Sequence, residues 1–238
     1  MDDTTAPFLT KAPTARRPLL GLTILVVEDS RFACETIRLM CLRSGARVRR
    51  ADSLKSARRH LKVYRPSAVV IDMGLPDGSG VDLIEELTQA MPRIGAVIGL
   101  SGDPGTEDRA LAAGADGFIS KPFDSLAAFQ QVILDTLPED RRPSGPRPIT
   151  DDVIHPDPLA YRDDINHIAN LLDDNPDEPT LDYVAQFLGG VARSAKDGDL
   201  VRAVDQLARA RSRGDMPHGT IPRLSALLQE RLDQKIAI

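Results

Sequence analysis

Val69-Val70-Ile71-Asp72-Met73-Gly74-Leu75-Pro76-Asp77-Gly78-Ser79-Gly80 decides the fold of this 238-residue chain. Val69, Val70 and Ile71 read as the end of a strand covered on both faces, where a continuous β-branched run replaces alternation. The run stops on the carboxylate of Asp72. The chain then turns through Gly74, Pro76, Asp77 and Gly78 into a helical pattern, with Val81, Leu83, Ile84 and Leu87 on one stripe. In an open α/β sheet, ligands and chemistry gather just beyond the carboxyl ends of the strands, and Asp72 stands at such an end.

Three more apolar runs stop in the same way. Thr23-Ile24-Leu25-Val26-Val27 ends on Glu28-Asp29, Ala96-Val97-Ile98-Gly99-Leu100 on Ser101-Gly102, and Gly117-Phe118-Ile119-Ser120 on Lys121-Pro122-Phe123. One end of the sheet thus receives an acidic pair, a lone Asp, a hydroxyl and a lysine. Three carboxylates repel one another, so the cluster calls for a cation. Hard oxygen ligands suit Mg²⁺, which keeps waters and accepts a phosphate oxygen. Lysine and hydroxyl opposite it would complete a clamp on a phosphoryl group, with Asp72 as the nucleophile, since carboxylates form acyl phosphates.

The order Glu28-Asp29, Asp72, Ser101, Lys121-Pro122 resembles the receiver domain of two-component response regulators. So do Pro76 and Gly80 behind Asp72, and Gly114-Ala115-Asp116-Gly117-Phe118 before the lysine. The resemblance covers about residues 20 to 137. It implies that Asp72 is the phosphoacceptor, that Asp29 binds Mg²⁺ directly and Glu28 directly or through water, and that the Gly74 carbonyl adds a further oxygen. It also implies that Ser101 and Lys121 hold the phosphoryl group and that Phe118 repositions with Ser101 on activation. The donor would be a cognate histidine kinase or phosphotransfer protein. The face holding Thr106, Glu107, Arg109, Phe118 and the helix from about Ser125 would carry the signal. In that family the chain is not an enzyme beyond assisting its own phosphorylation and dephosphorylation.

The expected architecture is a doubly wound, five-stranded parallel sheet, flavodoxin-like, followed by a smaller all-α domain. Arg47-Val48-Arg49-Arg50 reads as the edge strand, and Ser30 and Ser53 as caps of the first two helices. The divisions expected are a disordered leader over 1–19, a receiver over 20–138, a Pro-rich linker over 139–158 and a helical output domain over 159–238. Thr180 and Asp199 are placed as caps of the second and third helices of that domain, and four helices predict a bundle or a dimerising module.

Composition narrows the function classes. Apolar residues make up 42% and charged residues 27%, an ordinary globular balance, and the longest apolar runs fall far short of a membrane span. A cytoplasmic protein without a membrane role is expected. Cys34 and Cys41 lie on one helix as buried thiols, and no His partners make them a zinc site. From Gly145 onward 11 Lys/Arg stand against 16 Asp/Glu, which sets nucleic acid aside as a partner in favour of a downstream protein or self-association. Two alternatives remain: a DNA-binding transcriptional regulator, and a phosphotransfer-like bundle carrying His167. No glycine-rich phosphate loop or metal-ligand spacing marks the second half as catalytic.

Overall fold

Strand β3, Ala68–Asp72, is buried at all five positions and lies at the centre of the main sheet. The structure, a computed structural model, describes residues 12–103, 105–145, 152–174, 176–214 and 219–234. Around β3 stand β1 (Thr23–Val27), β2 (Arg47–Ala51), β6 (Ala96–Ser101) and β7 (Gly117–Ser120) in the order β2-β1-β3-β6-β7, all parallel. A two-stranded ribbon, β4 (Gly74–Leu75) and β5 (Gly78–Ser79), folds the loop after Asp72 back on itself. The register sets Val69 opposite Leu25 and Val97, so aliphatic side chains stack across neighbouring strands. Each fully buried Val or Ile contributes roughly 1.5–3 kcal/mol, which is why this run tolerates no polar residue before Asp72.

Helices α1 (Arg31–Ser44) and α5 (Leu126–Thr136) cover one face of the sheet. Helices α2 (Leu54–Val63), α3 (Gly80–Gln89) and α4 (Thr106–Ala112) cover the other. Ser30, Ser53, Ser79 and Ser125 each accept an N–H of the first turn they precede. The chain leaves β1 to one side and β3 to the other, and the crevice between their ends is where such a sheet places its site.

Four further helices, α6 (Pro158–Asp173), α7 (Glu178–Ser194), α8 (Gly198–Ser212) and α9 (Thr220–Asp233), enclose a second aliphatic core around Leu181, Leu188, Leu207 and Leu224. The caps of α7 and α8 differ from expectation. Asp177 caps α7 by accepting the Thr180 N–H, so Thr180 is the third residue of the helix, and Pro179 occupies the first turn where its missing N–H costs nothing. Asp197, not Asp199, caps α8 through the Leu200 N–H. The last helix ends at Asp233 with Gln234 as its C-cap, and residues 235–238 of the expected output domain lie outside the described residues.

Two expected divisions also change. Residues 1–11 of the expected leader lie outside the described residues, but Leu19 is fully buried and donates its N–H to the Ser44 carbonyl. The linker returns to the first domain before the helices begin. Val153 bridges Ser125, and Ile154 is 3% exposed and donates its N–H to the Asp124 carbonyl. Residues 146–151 of the expected linker lie outside the described residues. Among the described residues no helix is long and apolar enough to cross a membrane. Cys34 and Cys41 are free and buried.

Candidate functional site

The ends of β1, β3, β6 and β7 bring Glu28, Asp29, Asp72, Ser101 and Lys121 together, with Gly74 on the ribbon beside them. Oxygens of Glu28, Asp29 and Asp72 lie within 4.8 Å of one another. Lys121 reaches between them: its ammonium lies 2.7 Å from Glu28 Oε2 and 3.1 Å from Asp72 Oδ2. Glu28 Oε1 accepts the Ser30 N–H at 3.1 Å. Ser101 is buried, and its hydroxyl accepts the Asp103 N–H at 3.1 Å. Phe118 lies half-buried across Gly99, in space that a side chain at 99 would take, since a Cβ there would stand 2.9 Å from its ring.

Burial and mutual repulsion raise all three carboxylates. The Glu28 carboxyl is pushed up to about 7, chiefly by burial, with Lys121 pulling the other way. Asp72 is pushed up to about 7 by burial and by Glu28. Asp29 is pushed up to about 6 by burial and by Asp72. Burial works against the Lys121 ammonium, yet Asp72 and Glu28 together hold its pKa above the ordinary value. One lysine thus serves three acids. Asp29 Oδ1 is buried with no hydrogen-bond partner among the described residues. An orphaned carboxylate oxygen beside two more acids is the donor set a hard divalent cation requires, so these residues fit Mg²⁺.

The helical domain covers this site. Tyr183 of α7 donates its hydroxyl to Asp29 Oδ2 at 2.7 Å. Gln186, one turn on, lies against Gly74: a Cβ at 74 would stand 1.8 Å from the Gln186 amide nitrogen. Gly190 lies over Lys121, 3.8 Å from its Cδ to an added Cβ. Two successive glycines, Gly189 and Gly190, inside a helix cost about 1 kcal/mol each relative to Ala, and here they let the α7 backbone settle on the lysine. At the edge of this contact Lys196 pairs with Asp124 at 2.9 Å.

A second tie joins α6 to α1. Asp164, 2% exposed, accepts the Ser30 hydroxyl at 2.7 Å and the N–H groups of Arg31 at 2.8 Å and Phe32 at 3.0 Å. A carboxylate from the second domain therefore sits on the positive end of the first helix of the first. Burial raises its pKa, and the hydrogen bonds from Ser30, Phe32 and Arg31 oppose that. Beside it Arg31 pairs with Asp163 at 2.6 Å.

His167 is exposed on α6, with its ring edge-on to Tyr183 and Phe187 at centroid distances of 6.4 and 5.7 Å. It lines, with Asp29, Arg50 and Tyr183, a cavity of about 860 Å³. The sequence reading did not single out Asp164, Tyr183, Gln186 or Arg193. The glycine pair at 189–190 was the available signal, because a helix keeps such a pair only for a packing or functional reason. Nothing local marks Asp164 or Tyr183.

Residues 24–133 match the response regulator receiver domain family. The chain is 34% identical over 102 residues to the KDP operon transcriptional regulatory protein KdpE of Escherichia coli (strain K12), covering 42% of this chain and 44% of that protein. It is 31% identical over 115 residues to the probable transcriptional regulatory protein TcrX of Mycobacterium tuberculosis (strain ATCC 25618 / H37Rv), covering 48% and 47%. The chain spans about half the length of these curated relatives. Among solved structures it is similar to a putative response regulator from Chloroflexus aurantiacus J-10-fl, with 26% identity and a TM-score of 0.45 over 48% of this chain and 97% of that one. It is also similar to the receiver domain of sensor histidine kinase PA1611 from Pseudomonas aeruginosa PAO1, whose structure has a magnesium ion in its active site cleft. The identity there is 27% and the TM-score 0.43, over 47% of this chain and 93% of that one.

Proposed function

We propose that this chain, whose residues 24–133 form a response regulator receiver domain, is phosphorylated on Asp72 and signals through its helical domain. The observation that carries the reading is the group of three carboxylates, Glu28 and Asp72 buried and Asp29 half-buried, with Lys121 between Glu28 and Asp72. A cognate histidine kinase or phosphotransfer protein supplies the phosphoryl group. An Asp72 carboxylate oxygen forms the new P–O bond as the P–N bond to the donor imidazole breaks, and the electron pair leaves with that nitrogen. Lys121, held in its charged form by its acidic neighbours, neutralises the transferred group, and the buried Ser101 hydroxyl is available to hydrogen-bond it. Glu28, Asp29, Asp72 and the Gly74 carbonyl would hold Mg²⁺, which when bound offsets charge on the transferring phosphoryl oxygens. Ser101 and Phe118 carry the change outward, Phe118 from its half-buried position over Gly99. The chain acts in the cytoplasm as a switch that assists only its own phosphorylation and dephosphorylation.

The output is a change in how the helical domain meets the receiver, read by a downstream protein or by a second copy. Tyr183 and Gln186 support this, because both lie on groups that phosphorylation and metal binding would engage. The names of the relatives favour a second reading. Both are transcriptional regulatory proteins, so the ground for setting nucleic acid aside is lost, and DNA binding stands as the alternative output. Against it, Arg211, a little-exposed cation of the helical domain, is held by Asp182 and Glu178. DNA retention that weakens steeply with salt would establish the alternative. The exposed His167 keeps a phosphotransfer role open as a third.

The test is intact-mass analysis after incubation with a small phosphodonor and Mg²⁺. An alkali-labile adduct present in the wild type and in His167→Ala but absent from Asp72→Ala is expected. Unchanged phosphorylation of Asp72→Ala would sink the assignment, and an acid-labile adduct lost in His167→Ala would make the helical domain a phosphotransfer station.

A further inference from the structure

The cavity beside Asp72 is about 680 Å³, and both domains line it: Asp72, Ser101 and Lys121 from one, Gly190, Arg193 and Asp205 from the other. Arg193 carries a donor without a partner into this cavity. Its Nε is buried with no hydrogen-bond partner among the described residues. Its only described ion pair runs from Nη1 to Asp205 at 3.3 Å, and both side chains of that pair are about a third or more exposed, a setting in which an ion pair holds weakly. The guanidinium stays close to the site. A Cβ on Gly102, next to Ser101, would lie 3.7 Å from Arg193 Nε, and a Cβ on Gly189 would lie 2.9 Å from Nη2. The absent side chain at 189 lets the guanidinium lie along α7, and the absent one at 190 sets that helix on Lys121.

A phosphoryl group on Asp72 brings about two negative charges and three strong acceptor oxygens into this cavity. Lys121 is already divided between Glu28 and Asp72. An unpartnered N–H on a guanidinium, whose fork of donors matches phosphate oxygens, is the complement such a group lacks.

We propose that Arg193 is a phosphoryl-binding residue supplied by the helical domain: held loosely by Asp205 in the unphosphorylated chain, it takes an oxygen of the phosphoryl group on Asp72 and so sets the position of α7. Phosphorylation then exchanges an ion pair inside the helical domain for a tie between the domains, in place of simple release. This rests on the reading of Asp72 as the phosphoacceptor.

The test titrates beryllofluoride, a fluoride anion that caps a carboxylate as a phosphoryl group does, into the full chain with Mg²⁺, followed by calorimetry and ¹⁹F spectra. Wild type, Asp72→Ala, Arg193→Met and Asp205→Asn are compared. Arg193→Met should weaken binding about tenfold, the size of one charge-assisted hydrogen bond, while Mg²⁺ affinity without fluoride stays the same. Asp205→Asn, which frees the guanidinium, should tighten it. Wild-type affinity in both variants would overturn the role of Arg193 and leave the phosphoacceptor standing. Failure of the wild type to bind, or binding by Asp72→Ala, would remove both readings.

Discussion

Replacing Asp164 by Ala removes the acceptor of three hydrogen bonds that tie α6 to the start of α1. Hydrogen bonds to a charged group contribute about 1.5–3 kcal/mol each when their loss leaves partners unsatisfied. Here the loss is smaller than three times that. Burial raises the Asp164 pKa, so part of the gain is spent on desolvation, and the freed N–H groups can meet water once the domains part. The partner is moreover a helix end carrying only about half a charge. We therefore expect about 2–3 kcal/mol, just below the roughly 3–5 kcal/mol cost of removing one partner from a buried ion pair. That shifts the docking equilibrium on the order of a hundredfold. Ser30 still caps α1 through the Ala33 N–H, so the receiver stays folded and the effect falls on docking. Amide hydrogen exchange reads it: α6 and α7 should lose protection while β1, β3 and β6 keep theirs. Asp164→Asn, with one acceptor oxygen left, should fall between. Unchanged exchange in α6 and α7 of Asp164→Ala would show that this tie does not hold the domains together.

Removing the Tyr183 hydroxyl as Phe frees Asp29 Oδ2 from its hydrogen bond; Mg²⁺ affinity measured by calorimetry should rise by about tenfold, the low end of the worth of one charge-assisted hydrogen bond, and a fall would overturn the competition. Gly74→Ala drives a methyl group into the Gln186 amide, so exchange protection of α7 should drop, and Gln186→Ala in the same chain should restore it. If the double variant is no better than Gly74→Ala alone, the strain lies in the loop and not in the domain contact.

The receiver was legible because its information is local. A β-branched run that ends on Asp72 carries both the strand and the site, and Glu28, Ser101 and Lys121 follow the same rule. Serine caps before α1, α2, α3 and α5 lie beside the helices they start, so they could be read in place. Helical identity in the second half was also legible, because Leu181, Val184, Leu188 and Val191 repeat at helical spacing. What could not be read is the docking. Asp164 precedes Ile165 as any surface acid might, and only tertiary structure places it on a helix end more than a hundred residues earlier. Thr180 and Asp199 are acceptable caps by composition, but Asp177 and Asp197 lie closer to the first free N–H groups and displaced them. Leu19 was assigned to a leader by the Thr- and Pro-rich residues before it, although it enters the core that α1 covers.

The return of Ile154 to the receiver core sets how far the helical domain can travel. Ile154 is fastened by burial and by the Asp124 carbonyl, and α6 begins at Pro158. Only residues 155–157 lie between, a leash of about 10 Å at full stretch. Were α7 to let go of Asp29 and Lys121 completely, the foot of α6 would remain within reach of α1, at a high effective concentration. The motion left to the helical domain is a swing about that foot, and under the proposed function a partner that senses the phosphorylated state would be listening for an angle.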